Sequence, residues 1–479
     1  MQLTPEANSG SVSLKSTGFM SADAKNINAV ATLTSIDWEL GERQIYSKEA
    51  SVEFATSDSA TSATLTTGDL LARAASPVSL DSLLAHIPLA TAAIDTAIAT
   101  KNIDIVALQR SLPQINVELN SGPSNFIAEY LAQTGSSFKS AKASFSNDSL
   151  ISISAGVLSL QAGDTRLDTI SFGAVQHGKY LAYKGAVNNR PGTLDQFAHV
   201  NLTGFVADDK VAMLLSQKNI SGERGFLLGL NAAMTDSVAT VRFVPYTPTI
   251  GYKKWELNKD NFISYNFTTR HIDANLAMNS GNSIIRIFTE HVDGRPEEQE
   301  DLVVSLSDIR IQDWLSISPH APPVKGNLGA DMRIHWNREQ LTGNGTVALS
   351  DLYYGRDRVG SFDIGVDVSA ESNGRLRAEA SLLVDSIKVI TANGVLNDTA
   401  SATPFMLDFS MIHFPLRIAN PFLPKEYASL SGMLNGQMDI TGSLTAPIFN
   451  GYLDFDSTQV TVGMLGSSFR FSETKIPVD

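Results

Sequence analysis

There is no cysteine among the 479 residues, which removes thiolate metal sites, disulfides and thiol catalysis together. A chain this long without thiols suits an oxidising compartment, and cytoplasmic residence fits as well. Charge is sparse at 18%, against about 25% in a typical domain. Basic residues are the scarcer sign: 36 Lys and Arg face 50 Asp and Glu, for a net charge of −14 and a pI near 5.0. With no run of five basic residues, there is no footprint for nucleic acid and no polybasic membrane patch. The histidines His86, His177, His199, His271, His291, His320, His335 and His413 never fall within five positions of one another, so no local metal-ligand pair exists. The nucleophile elbow, the phosphate-cradling loop and the dinucleotide fingerprint are all missing. No apolar run reaches the ~18–20 residues of a membrane span, and the first residues lack the basic start and apolar core of a secretion signal. The reading is of a non-enzyme that needs no cofactor and no metal.

What is present is small and apolar. Hydrophobic residues make up 43% of the chain, and 34 glycines punctuate it. At roughly 100–200 residues per domain, this length implies two to four domains or one elongated body. Residues 1–68 read as strands with Ser, Thr and Gly turns. Residues 69–134 change period: Leu80, Leu83, Leu84, Ile87, Ala90 and Ile94 share a helical face, Ser79 and Asp81 stand at its start, and Pro88 is expected to interrupt or kink it. A second helix near Ile103–Arg110 and a third after Ser124, stopped at Gly135, complete a helical insertion that packs on a sheet, covers its edge or forms a lid.

Residues 135–479 alternate with period two. Ile272, Leu276 and Met278 share a face; so do Leu328, Ala330, Met332, Ile334 and Trp336; Phe362, Ile364, Val366 and Val368; Leu376, Leu382 and Val384; and Leu434, Met438 and Ile440. Their neighbours are polar, as in strands with one dry and one wet face. Ser372-Asn373-Gly374, Asn393-Gly394 and Asn279-Ser280-Gly281 read as turns. At roughly 10–12 residues per strand and turn, on the order of 30 strands are expected. Open twisted sheets rarely pass about 10 strands without curling or splitting. The alternatives are therefore stacked sandwiches, a barrel, a solid solenoid of the adhesin kind, or a curled open sheet.

One skeleton occurs twice. Val324-Lys325-Gly326-Asn327-Leu328-Gly329-Ala330-Asp331-Met332-Arg333-Ile334 matches Leu430-Ser431-Gly432-Met433-Leu434-Asn435-Gly436-Gln437-Met438-Asp439-Ile440, 106 positions later. The same offset carries Asn344-Gly345 onto Asn450-Gly451 and Gly360 onto Gly466. Related modules are expected near 324–360 and 430–466, with no ionisable cluster repeated between them.

The block Pro245-Tyr246-Thr247-Pro248-Thr249-Ile250-Gly251-Tyr252, with Trp255, Asn258 and Asn261-Phe262-Ile263, resembles the TamB-like (translocation and assembly module, AsmA-like) family in its Bacteroidetes-type form. So does the rhythm of Gly432, Leu434 and Gly436, then Gly442, Leu444 and Pro447, then Gly451 and Leu453. The earlier copy departs from it, with Trp336 for the middle glycine and Leu341 for the proline. The resemblance implies a mainly β fold, an elongated curled sheet forming an open, taco-like groove lined by the alternating apolar residues named above. It implies an internal fragment of a periplasmic protein held in the inner membrane by an N-terminal helix outside this chain. Phospholipids would be the cargo, carried toward the outer membrane in its biogenesis. An outer-membrane barrel protein of the TamA/BamA type would be the partner, in a role that extends to protein secretion and barrel assembly.

Overall fold

Alternation at period two becomes a sheet wherever short turns lay each strand back beside the last, and most of the described chain does so. The computed structural model describes residues 7–21, 25–40, 43–47, 49–291, 293–294, 296, 299–318, 320–336, 341–371, 375–395, 405–423, 427–443, 446–471 and 474–478. Strand accounts for 66% and helix for 13%. The expected mainly β class holds: the sheet is antiparallel, open and not closed into a barrel. Among the described residues there are 32 strands, close to the number the turn spacing suggests. Two units divide the chain, Met1–Asp236 and Ser237–Asp479.

In the first unit, strands from Ala7–Met20 to Arg224–Met234 pair mostly with their sequence neighbours. Directly opposed residues form an apolar row across it: Ala29, Phe54, Ala63, Ala74, Val117, Phe145, Ile153, Ala174 and Tyr183. Three helices interrupt this meander: α1 (Leu80–Thr100), α2 (Ile105–Ser111) and α3 (Phe126–Gln133). Residues 69–134 are not helical throughout, because Leu70–Ser76 and Asn116–Ser121 pair with each other as strands of the sheet. These strands are too short and too rich in Ala and Asn to announce themselves by pattern.

The side chain of Ser79 caps α1 by accepting from the Ser82 amide, as expected, but Pro88 sits inside a continuous helix. The face that α1 turns inward agrees with expectation at Leu80, Leu83 and Ala90, which are half-buried, and differs at the other named positions. Ser82, His86, Ala90, Ala93 and Ala97 are half-buried. Leu84, Ile87 and Ile94 are exposed, together with Leu89 and Ile98. Small residues let the helix lie close to its neighbours, which leaves the larger ones in front. Among the described residues, α1 is the one helix long and apolar enough to cross a membrane by length and composition. Asp81, His86 and Asp95 break its apolar residues into short runs.

In the second unit the meander runs from Val238–Ile250 to Thr474–Val478. Several of its buried residues fall between Thr249 and Leu257. Ile250, Trp255 and Leu257 are buried, and Trp255 meets Trp314 of α4 (Ile311–Leu315) edge-on at 6.0 Å. Asn261, 2% exposed, stands in for a strand partner: its Oδ1 accepts from the Phe243 amide at 2.7 Å, and its Nδ2 donates to the Phe243 and Asn258 carbonyls. Trp255 and Asn261, two of the residues behind the resemblance, thus act as structural clamps.

The turn signals divide. Gly281 has φ +61° in the turn after Ile272–Ser280, as expected. Ser372-Asn373-Gly374 lies outside the described residues. Asn393-Gly394 is no turn; it lies within the strand Ile387–Val395. Gly394 is there because a Cβ would stand 2.0 Å from the Met406 carbonyl oxygen. The turn before that strand is Asp385-Ser386, both at positive φ as a type I′ hairpin needs.

Asp385 also locks that end of the sheet. Its carboxylate accepts from Arg358 at 2.9 Å, Arg417 at 3.0 Å and the Ser361 amide at 3.0 Å. The Arg358 hydrogen bond chiefly holds its pKa down, from 3.8 to about 2. A lowered folded-state pKa adds stability that is complete above the unfolded value and is lost as pH falls through the folded one. The arginines are solvent-exposed, so screening leaves about 1 kcal/mol. Asp385→Asn is expected to lower the unfolding free energy at neutral pH by that amount, read from urea titrations, and to flatten the loss between about pH 4 and pH 2. An unchanged acid limb would remove Asp385 from this role.

Candidate functional site

Opposed residues of an antiparallel pair project from the same face. Register in the second unit therefore tests the alternating residues one against another. One row runs Met278–Ile285–Leu306–Ala330–Val347–Ile364–Leu382–Ile390–Met411–Gly436–Leu453. Beside it lies Leu276–Ile287–Val304–Met332–Gly345–Val366–Ala380–Ala392–Phe409–Met438–Gly451. Leu328, Phe362 and Val384 align through Leu349. Ile334 and Val368 align through Gly343, and Ile440 opposes Leu407. Ile272, Trp336, Leu376 and Leu434 share the parity of their strands, so the whole expected lining falls on one face.

The other face is wet. Arg333–Asn344–Asp367–Glu379–Asn393–Asp408–Asp439–Asn450 is an equally continuous row. Asp367 opposes Glu379 and Asp408 opposes Asp439, like-charge pairs that only water screening makes tolerable. Arg333 pairs with Glu290 and, at 3.2 Å, with Asp301, which hold its pKa up. His335 lies 3.2 Å from Asp301. This cluster draws on three strands, and nothing in local spacing announces it.

The apolar face is concave where rings reveal it. Tyr265 and Trp336 have ring centroids 5.6 Å apart. Their strands, Phe262–Asn266 and Val324–Trp336, are separated by Ile272–Ser280, Ser283–Glu290 and Asp301–Arg310. Four steps of about 4.8 Å would hold the strands roughly 19 Å apart in a flat sheet. The sheet bends toward this face.

Within it lies a trough of about 470 Å³, lined by Met332, Ile334, Leu341, Gly343, Gly345, Val347, Ile364, Val366, Val368 and Leu376. Ile364 and Val366 are 38% and 44% exposed, although both sit in apolar rows. The lining is not uniform. Leu276, Met278 and Val384 are buried and form packed floor, not open wall.

The repeated skeleton has a local cause. Val324–Trp336 with Leu341–Tyr354, and Ser429–Ser443 with Ala446–Val462, are equivalent hairpins. In each, a methionine folds over a facing glycine. A Cβ on Gly345 would come 2.8 Å from Met332 Cγ, and one on Gly451 would come 2.9 Å from Met438 Cγ. Gly326 and Gly432 mark the bulge that starts each hairpin. Trp336 and Gly442 occupy equivalent positions, so the end of the wall differs between copies.

Among the described residues, no group of three or more His, Asp or Glu side chains could hold a metal ion. The site's capacity is chiefly for apolar contact along a row. Searches with this chain match no family model, no curated protein and no solved structure.

Proposed function

We propose that the apolar concave face carries acyl chains of phospholipid, as part of a periplasmic bridge of the TamB-like kind between inner and outer membrane. The observation that carries this is the trough at Ile364 and Val366: apolar rows continuous over eleven strands yet open to small molecules in the middle. A sandwich core would cover those side chains. Exposing a chain of about 16 carbons to water costs on the order of 13 kcal/mol at ~0.8 kcal/mol per CH₂, so an aqueous compartment needs such a dry wall. Because dispersion and area burial carry the binding, any order of Leu, Ile, Val, Met and Phe serves, and the two hairpin copies can differ at Trp336 and Gly442.

Photo-crosslinking from Val366 in cells, followed by mass spectrometry of the adduct, is expected to recover phospholipid. The same probe at Thr346 on the wet face should recover none. Equal yields from the two faces would sink the reading.

A second reading, scaffolding of outer-membrane β-proteins with a barrel partner of the TamA/BamA type, draws on the strand Ala7–Met20. It pairs on one side with Ile27–Leu40 and, among the described residues, with no other strand, while Leu14, Phe19 and Met20 are exposed. Such an edge is a template for a client strand. Proline substitutions along it should then stop client assembly and leave the Val366 adduct intact.

A further inference from the structure

A larger cavity lies in the first unit, beneath the C-terminal half of α1. It measures about 700 Å³ and is walled by Ala93, Ala97 and Ile98 of α1, Leu108 of α2, and Val211 and Met234 of the sheet. That volume is within the ~300–1,000 Å³ of small-molecule sites. The link between the helices is tied to the strand turn beside it: the Ile103 amide donates to the Asp208 carbonyl at 2.7 Å, and the Asp208 amide donates back at 3.1 Å. At its other end α1 is tied by the Leu80 amide to Thr56 Oγ1 at 3.2 Å. Between these ties the helix spans about 31 Å, with small residues on its inner side.

Two observations say what fits there. The first is continuity with the apolar face. Val211 opposes Val206 and Ala232, stands two residues from Met213 on the same side of its strand, and Met234 lies two residues beyond Ala232. The cavity is thus the part of the first unit's dry face that lies beside α1. The second is charge. Its rim carries Asp104, Asp208 and Asp209 against one cation, Lys101, whose Nζ donates to the Asp236 carbonyl at 3.1 Å. A rim with excess negative charge attracts an ammonium and repels an anionic group.

We propose that this cavity binds one acyl chain of a lipid whose head group bears an ammonium, the head lying at the Asp208–Asp209 turn. The proposal rests on the lipid-carrying reading of the apolar faces and adds a site and a head-group preference to it. Hexadecanoyl lysophosphatidylethanolamine is expected to bind the whole chain about tenfold more tightly than hexadecanoyl lysophosphatidylglycerol. A diazirine-tailed form of the amine probe should label the segments that hold Val211 and Met234. Filling the space with Ala97→Trp should reduce that labelling at least about tenfold, with the circular dichroism spectrum unchanged. D208N with D209N, the first at φ +46° where asparagine is tolerated, should bring the two head groups to near parity.

Equal affinity of the unaltered chain for the two probes overturns the head-group assignment and with it the proposal. Undiminished labelling in a folded Ala97→Trp variant overturns the site. Neither result touches the Val366 adduct, which tests the trough of the second unit separately, so a failure here is distinguishable from failure of the lipid-carrying reading.

Discussion

Ile364→Asp is expected to reduce lipid adducts at Val366, and phospholipid passage, by about a hundredfold or more. Ile364 opposes Val347 on one side and Leu382 on the other, and lines the open trough. An acyl chain lying there would strip water from the new carboxylate without offering a hydrogen bond. An unpaired buried polar group costs at least ~1–3 kcal/mol and a charge more; ~2.7 kcal/mol is already a hundredfold. Folding should survive, because this side chain is 38% exposed and the carboxylate of the empty protein stays hydrated. Thr346→Asp is the matched control: it adds the same charge one residue from Val347, on the wet face opposite Gly365. Lipid recovery that is equal in the two variants, with both folded, would remove the trough from the path.

Gly251→Ala is expected to destabilise the protein by about 3–5 kcal/mol, enough to drop its thermal midpoint sharply and impair its accumulation. Gly251 has φ +62°, where an L side chain pays ~1–2 kcal/mol. A Cβ there would also stand 2.1 Å from the Asp313 carbonyl oxygen and 2.5 Å from its carbon. Those atoms are backbone of α4 and cannot swing aside. The displaced turn would drag Ile250 and Trp255 out of the buried block, and lost aromatic packing is itself worth several kcal/mol. Gly178→Ala separates the two effects, since Gly178 has φ +61° but open space around its Cβ; about 1–2 kcal/mol is expected there. Urea midpoints of both variants decide the matter. If Gly251→Ala loses no more than Gly178→Ala, the close approach to α4 carries no weight.

Much of the architecture was legible because period-two alternation is a local property. Met332, Ile334, Ile364 and Val366 could be assigned to a dry side from their neighbours alone, and the matching hairpins at 324 and 430 from self-similarity. Helical period likewise located the start of α1 and its course as far as Ile94, short of its end at Thr100. Features that depend on what crosses from another strand were not legible. Gly394 looks like a turn glycine until the Met406 carbonyl lies against it. Leu276 and Met278 look like open lining until neighbours bury them. Leu84, Ile87 and Ile94 look like the inward face of α1 together with Leu83 and Ala90, yet only the latter two are half-buried, and Ala93 and Ala97 take the remaining places.

By itself, then, the order of residues determined that this chain would form strands with one apolar and one polar face, since a strand's two sides are set by alternate positions along it. Only the tertiary structure decided that these faces align into rows, that one of them bends inward so that Tyr265 reaches Trp336, and that the bend leaves Ile364 and Val366 open while covering Leu276 and Val384. Register and curvature come from bulges, glycines and contacts between residues far apart in the chain. No local pattern carries that information.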